Sequence, residues 1–156
     1  LKDEADVELY SEDEIPTEDE AKGVLDTIKE DSPTNKASLI CLFKPDNKTK
    51  FLLTGDACSK SIHNVIDKFG DDVTQCILKV PHHGSKHNLT TEVIDLIKPV
   101  NAVISCKGTK KHPSSSITYW LSKYCDVYST SKSHDLIYSS RPNINPAVPL
   151  KKKIDE

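Results

Sequence analysis

From residue 37 onward, short apolar runs alternate with segments whose apolar residues recur every three or four positions. The runs at 39–43 and 51–53 flank Pro45-Asp46-Asn47-Lys48, which predicts a hairpin. In 59–69, Ile62, Val65, Ile66 and Phe69 fall at i, i+3, i+4 and i+7, the apolar face of a helix. Ser59 or Ser61 can cap this helix, and Gly70 can end it. The run 74–80 predicts the next strand. A helix at 90–97 follows, capped by Thr90 or Thr91 and stopped by Pro99, and then a strand at 102–105. Pro113 opens a helix at its tolerated first-turn position, with Ile117, Trp120 and Leu121 as the apolar face. Short strands at 126–129 and 136–138 complete the order β-β-α-β-α-β-α-β-β. Alternation of strands with helices of about three turns predicts an α/β fold.

The flanks have a different pattern. Residues 1–34 read as an acidic linker, loosely held over 1–20, with a short helix at 18–29 whose Val24, Leu25 and Ile28 share a face. Pro33 and Asn35 mark a turn. The regular part spans 35–140, and 141–156 reads as a tail with three prolines and Lys151-Lys152-Lys153. At 156 residues the chain is long enough for one domain with a real core. No apolar run approaches the roughly 20 residues of a membrane helix, and the acidic start has no secretory pattern. With no methionine at all, the chain is expected to be a segment of a longer protein. The five cysteines form no C-x-x-C pair, and Cys41, Cys76 and Cys106 sit in strand-like runs. They read as small thiols in a reducing, cytoplasmic compartment rather than as disulfides or a zinc knot.

Charge divides the chain further. Residues 1–31 hold 13 of the 24 acidic and three of the 21 basic side chains, which leaves 11 acidic and 18 basic in 32–156. A body carrying a net +7 is compatible with a phosphate-rich substrate, and equally with ordinary surface lysine offset by an acidic linker.

The candidate chemistry sits where strands end. The strand at 74–80 runs into Pro81-His82-His83-Gly84-Ser85, and the strand at 51–53 into Thr54-Gly55-Asp56. Strand ends are where α/β proteins place ligands. Asp56 can bind a metal, bridge two metals, or cap the following helix. In an extended His82-His83 pair the rings point opposite ways, so one can face a metal while the other faces substrate or packs behind. A surface pair is the plain alternative. His112, before Pro113, ends a third strand-to-helix loop on the same edge. His87 reads as a loop histidine lining a cleft, His63 as solvent-facing on its helix, and His134 as part of a hairpin turn. No G-x-S-x-G, Walker loop, G-x-G-x-x-G or H-E-x-x-H occurs.

Asn35-Lys36-Ala37-Ser38-Leu39, Leu52-Leu53-Thr54-Gly55-Asp56, Leu78-Lys79-Val80-Pro81-His82-His83-Gly84-Ser85, Lys98-Pro99, Ala102-Val103-Ile104-Ser105 and His112-Pro113 occur in this order. Over about 35–140 the chain thereby resembles the C-terminal half of a metallo-β-lactamase-fold hydrolase, closest to the ComEC-type competence-protein branch. The resemblance implies half of an αββα sandwich and, in the complete domain, two zinc ions, with manganese as the alternative. It implies Asp56 as the carboxylate bridging both metals and His83 as a ligand. His82 and His112 would contact substrate or transfer protons. Members cleave phosphodiesters, nucleic acids, lactams or thioesters with a metal-bound hydroxide. The first-half ligands of that family come from H-x-H-x-D-H, which is absent here, and Ser133-His134-Asp135 replaces the usual Asp-Gly of the last turn. A catalytic metal takes at least three protein ligands, and this chain offers about two. The expectation is therefore the second half of a metal-dependent hydrolase acting on a phosphodiester or nucleic-acid-like substrate. Its partner would be a missing N-terminal half-domain or a second copy, and the chain alone would be inactive. The competing expectation is a degenerate, metal-free binding module without catalysis.

Overall fold

A computed structural model describes residues 15–27, 32–108, 112–133 and 147–155. The elements are α1 (Glu18–Leu25), α2 (Pro33–Lys36), β1 (Cys41–Phe43), β2 (Phe51–Leu53), α3 (Ser59–Phe69), β3 (Ile77–Lys79), α4 (Thr91–Ile97), β4 (Asn101–Ile104), α5 (Ser115–Ser122), β5 (Val127–Ser129) and α6 (Thr130–Ser133). The five strands form one mixed sheet in the order β1-β2-β3-β4-β5, so the chain is α/β. β1 and β2 are the expected antiparallel hairpin, and the pairs from β2 to β5 are parallel. In the turn between them Asp46 accepts from the backbone N–H groups of Lys48 and Thr49 at 2.7 and 2.6 Å. The expected strand at 136–138 and His134 lie outside the described residues.

Because the strand order is monotonic and parallel crossovers are right-handed, α3, α4 and α5 fall on one face of the sheet. The register makes the consequence explicit. Leu42, Leu52, Leu78, Ala102 and Val127 form one row straight across the sheet. All but the half-buried Leu42 are fully covered, and all join the core with Ile62 and Ile66 of α3, Val93, Ile94 and Ile97 of α4, and Ile117 and Leu121 of α5. The adjacent row, Cys41, Leu53, Lys79, Val103 and Tyr128, points the other way. No side chain of that row belongs to the core. Leu39, Phe43 and Leu53 on this side are 82%, 53% and 43% exposed, and Ile77 at 8% is the best covered. Parallel sheets ordinarily have both faces covered. Among the described residues this one has a single helical layer.

Several local expectations shift. The strand at 74–80 shortens to β3, and Gln75, with φ +49, turns the chain before it. The N-cap of α3 is Cys58, and neither Ser59 nor Ser61 caps it. The Ser59 hydroxyl instead accepts from the Thr90 N–H at 2.7 Å, while Thr90 caps α4. Pro113 stands before the cap residue Ser114 and is not the first residue of α5. The turn at Pro33 is a short helix capped by Ser32.

The end segments are docked. α1 carries a complete capping box between Thr17 and Glu20 and buries Ala21 and Leu25. Lys123 of α5 pairs with Glu18 at 2.6 Å and lies over the Trp120 ring at 4.2 Å. Asp26 receives the Thr91 N–H at 3.0 Å and its hydroxyl at 2.8 Å, at the start of α4. Residues 15–20 are thus held, against the expectation for 1–20, because a capped amphipathic turn finds an apolar seat on α5. At the other end, Leu150 and Lys151 hydrogen-bond to Val127 along the outer edge of β5. No helix among the described residues is long and apolar enough to cross a membrane.

Candidate functional site

The C-terminal ends of β2, β3 and β4 lie side by side, and three loops leave from them. The first is tied down by Thr54, whose buried hydroxyl donates to the Lys79 carbonyl at 2.6 Å. Gly55 follows with φ +54, a left-handed conformation that glycine adopts at little cost. Asp56 comes next, half-buried, and is not the cap of α3, which removes the capping alternative left open by its sequence position. The Lys79 ammonium donates to the Gly55 carbonyl at 3.1 Å. Burial pulls its pKa below the usual lysine value, while the nearby Asp56 carboxylate opposes that shift.

The second loop departs from the extended pair expected. His82, His83 and Gly84 have φ of +46, +56 and +78, so the chain turns left-handed for three residues. That conformation costs a non-glycine residue roughly 1–2 kcal/mol and survives only where the surroundings impose it. Here they do. The His82 N–H donates to the Gly55 carbonyl at 3.2 Å, and the Gly84 carbonyl accepts from Ser114 at 3.0 Å. His83 Nδ1 lies 2.6 Å from the Ser105 carbonyl, and His82 Nδ1 lies 3.0 Å from Asn88 Oδ1. A side chain at Gly84 would meet Pro113 Cβ at 2.9 Å, so only glycine lets the second and third loops close together. The two imidazoles do not diverge as they would from a strand. Their ring centres are 6.2 Å apart at an interplanar angle of 64°.

His112, in the third loop, stacks on His82 with ring centres 6.0 Å apart and 25° between planes. His82 thus touches all three loops: Gly55 through its backbone, His112 through its ring, and Asn88 through Nδ1. His83 is exposed. Since a carbonyl only accepts, this contact needs the proton on Nδ1, which in a neutral ring leaves the lone pair on Nε2, the tautomer that second-shell carbonyls impose on metal-ligating histidines. His87 is half-buried in the same segment. His63, expected to face solvent, lies between Asp67 at 3.1 Å and Glu92 at 3.6 Å, linking α3 to α4 away from the site.

The groups with metal-ligand chemistry at these loop ends are the Asp56 carboxylate and the imidazoles of His82, His83 and His112. Among the described residues, no three His, Cys, Asp or Glu side chains are grouped to hold an ion. The expected ligands Asp56 and His83 have the chemistry to hold a metal, and two such side chains are fewer than the three protein ligands a catalytic metal takes.

Asn35, Asn88 and Ser105 were not singled out from the sequence. Asn88 is 2% exposed and donates through Nδ2 to the Asp56 and Ala57 carbonyls, both at 3.3 Å. Its only sequence signal is an amide shortly after the histidine pair, which reads as an ordinary loop residue. Comparison with protein-family models, with curated proteins and with solved structures finds no match for the chain.

Proposed function

We propose that this chain is the C-terminal half of a metal-dependent hydrolase of the metallo-β-lactamase superfamily, acting on a phosphodiester or nucleic-acid-like substrate in a reducing, cytoplasmic compartment. The observation that carries the reading is the docking of the His82-His83 turn onto the Gly55-Asp56 loop beside His112, through the His82 N–H to Gly55 and the His82–His112 stack. One-sided cover of the sheet adds to it, because an αββα sandwich would lay a second sheet on the face that bears Leu53 and Phe43. In this reading Asp56 and His83 supply part of the shell for zinc or manganese, and the other half-domain, or a second copy, supplies the rest. The metal would act as a Lewis acid and lower the pKa of water. His82 and His112 would bind the substrate and carry protons, and Lys79 adds a cation beside Asp56 that suits an anionic substrate. The five cysteines, all unpaired, need no oxidant.

The test joins the chain to its complementary half, as the longer protein or by co-expression. Zinc and manganese are measured by elemental analysis, and hydrolysis of an activated phosphodiester is followed. Bound metal and turnover are expected, with loss of both by at least about 100-fold in Asp56→Ala and His83→Ala. A complete assembly that holds no metal would sink the hydrolase reading in favour of a metal-free binding module.

A further inference from the structure

We infer that Asn88 is a positioning residue that fixes His82 in one tautomer and sets the spacing between the Asp56 and His82 loops. The side-chain amide is buried, and both ends are committed. Nδ2 donates to two carbonyls, those of Asp56 and Ala57, at 3.3 Å each. Turning the amide over would set Oδ1 against those two acceptors, lose both bonds and leave buried polar groups unsatisfied. The orientation is therefore dictated by the backbone at the entry to α3, and Oδ1 is what remains to meet His82 Nδ1 at 3.0 Å. An amide oxygen only accepts, so Nδ1 carries the hydrogen and Nε2 carries the lone pair. The contact from Asn35 Nδ2 to the same ring nitrogen, at 3.5 Å, is then a packing contact, since two donors face each other.

The chemical consequence is specific. His82 offers its lone pair through Nε2, the ring atom remote from Asn88, and it meets a ligand as a hydrogen-bond or proton acceptor. The same side chain ties Asp56 to this ring, because the carbonyls it holds belong to Asp56 itself and to the next residue. Asn88 is further seated by its N–H, which donates to the Ser85 carbonyl at 3.3 Å. The inference deepens the proposed function, but its test uses neither metal nor turnover.

The full chain, with 15N-labelled histidine, is examined by long-range 1H–15N correlation at a pH where the imidazoles are neutral. Wild-type His82 is expected as the Nδ1–H tautomer. Asn88→Leu removes the acceptor, and His82 shifts to Nε2–H or to a mixture of the two forms. His83, held by the Ser105 carbonyl, stays Nδ1–H in both proteins and serves as the internal control. Nε2–H in the wild type overturns the inference, as does an unchanged His82 in Asn88→Leu. If Asn88→Leu does not fold, the wild type decides by itself, because Nε2–H there overturns the inference. A metal-free assembly together with the expected tautomers would remove the hydrolase reading and leave this one standing.

Discussion

The two faces of the sheet are built from similar side chains and meet different fates. Leu52 and Leu53 are neighbours in β2, yet Leu52 is fully buried under the helices and Leu53 is 43% exposed. On the covered side, apolar residues at alternate positions find Ile62, Ile94, Ile117 and their neighbours. On the other, Leu39, Phe43 and Leu53 stand outside the core and stay largely exposed. Apolar character in a strand therefore does not reveal which face is covered. Only the monotonic strand order, which sends every crossover to the same side, decides it.

The contrast can be broken most directly at β2. Leu52→Ala is expected to lose about 2–5 kcal/mol in urea denaturation, because it opens a cavity in a packed layer. Leu53→Ala is expected to lose under about 1 kcal/mol. Equal losses would mean that both faces are covered in solution. At the sheet edge where the loops meet, Gly84→Ala is expected to cost roughly 1–3 kcal/mol, from the Pro113 contact and the left-handed backbone. A neutral result there would show that the second and third loops are not closed together.

A smaller effect separates the faces by thiol chemistry. Burial pushes the Cys76 thiol up to about 11 and the Cys125 thiol up to about 12, while Cys41 stands exposed on the uncovered row. Cys41 should react with a thiol reagent at once, and Cys76 and Cys125 only on unfolding. Since the unfolded chain releases those two protons at lower pH than the folded one, stability is full below about pH 9. It falls as pH rises through 11 and 12. A flat stability profile over that range, or rapid labelling of Cys76, would contradict the one-sided packing.

Much of the architecture was legible because it rests on local periodicity. The 59–69 helix and the 51–53 strand appear with the expected bounds, since an i, i+3, i+4, i+7 face and a turn-flanked apolar run each have one stable solution. The edge that carries Asp56, His82, His83 and His112 was legible too, because Gly55, Pro81 and Pro113 punctuate three strand ends. What was not legible depends on contacts between loops. The left-handed turn at His82 and His83 is imposed by Gly55, Ser105 and Ser114, which are distant in sequence. Asn88 gains its meaning only when the start of α3 supplies two carbonyls. The docking of α1 was hidden by its acidic surroundings, although Ala21 and Leu25 already lay four residues apart.

The strand edges carry a last consequence, one of symmetry. Leu150 and Lys151 occupy the outer edge of β5, while β1 has no strand beyond it among the described residues. The bridge covers the β5 edge at Val127, a point where a head-to-tail contact with β1 of another copy, the arrangement that propagates into fibres, would have to pair. A β1-to-β1 contact meets no such obstacle among the described residues, and being isologous it would close on itself after two copies.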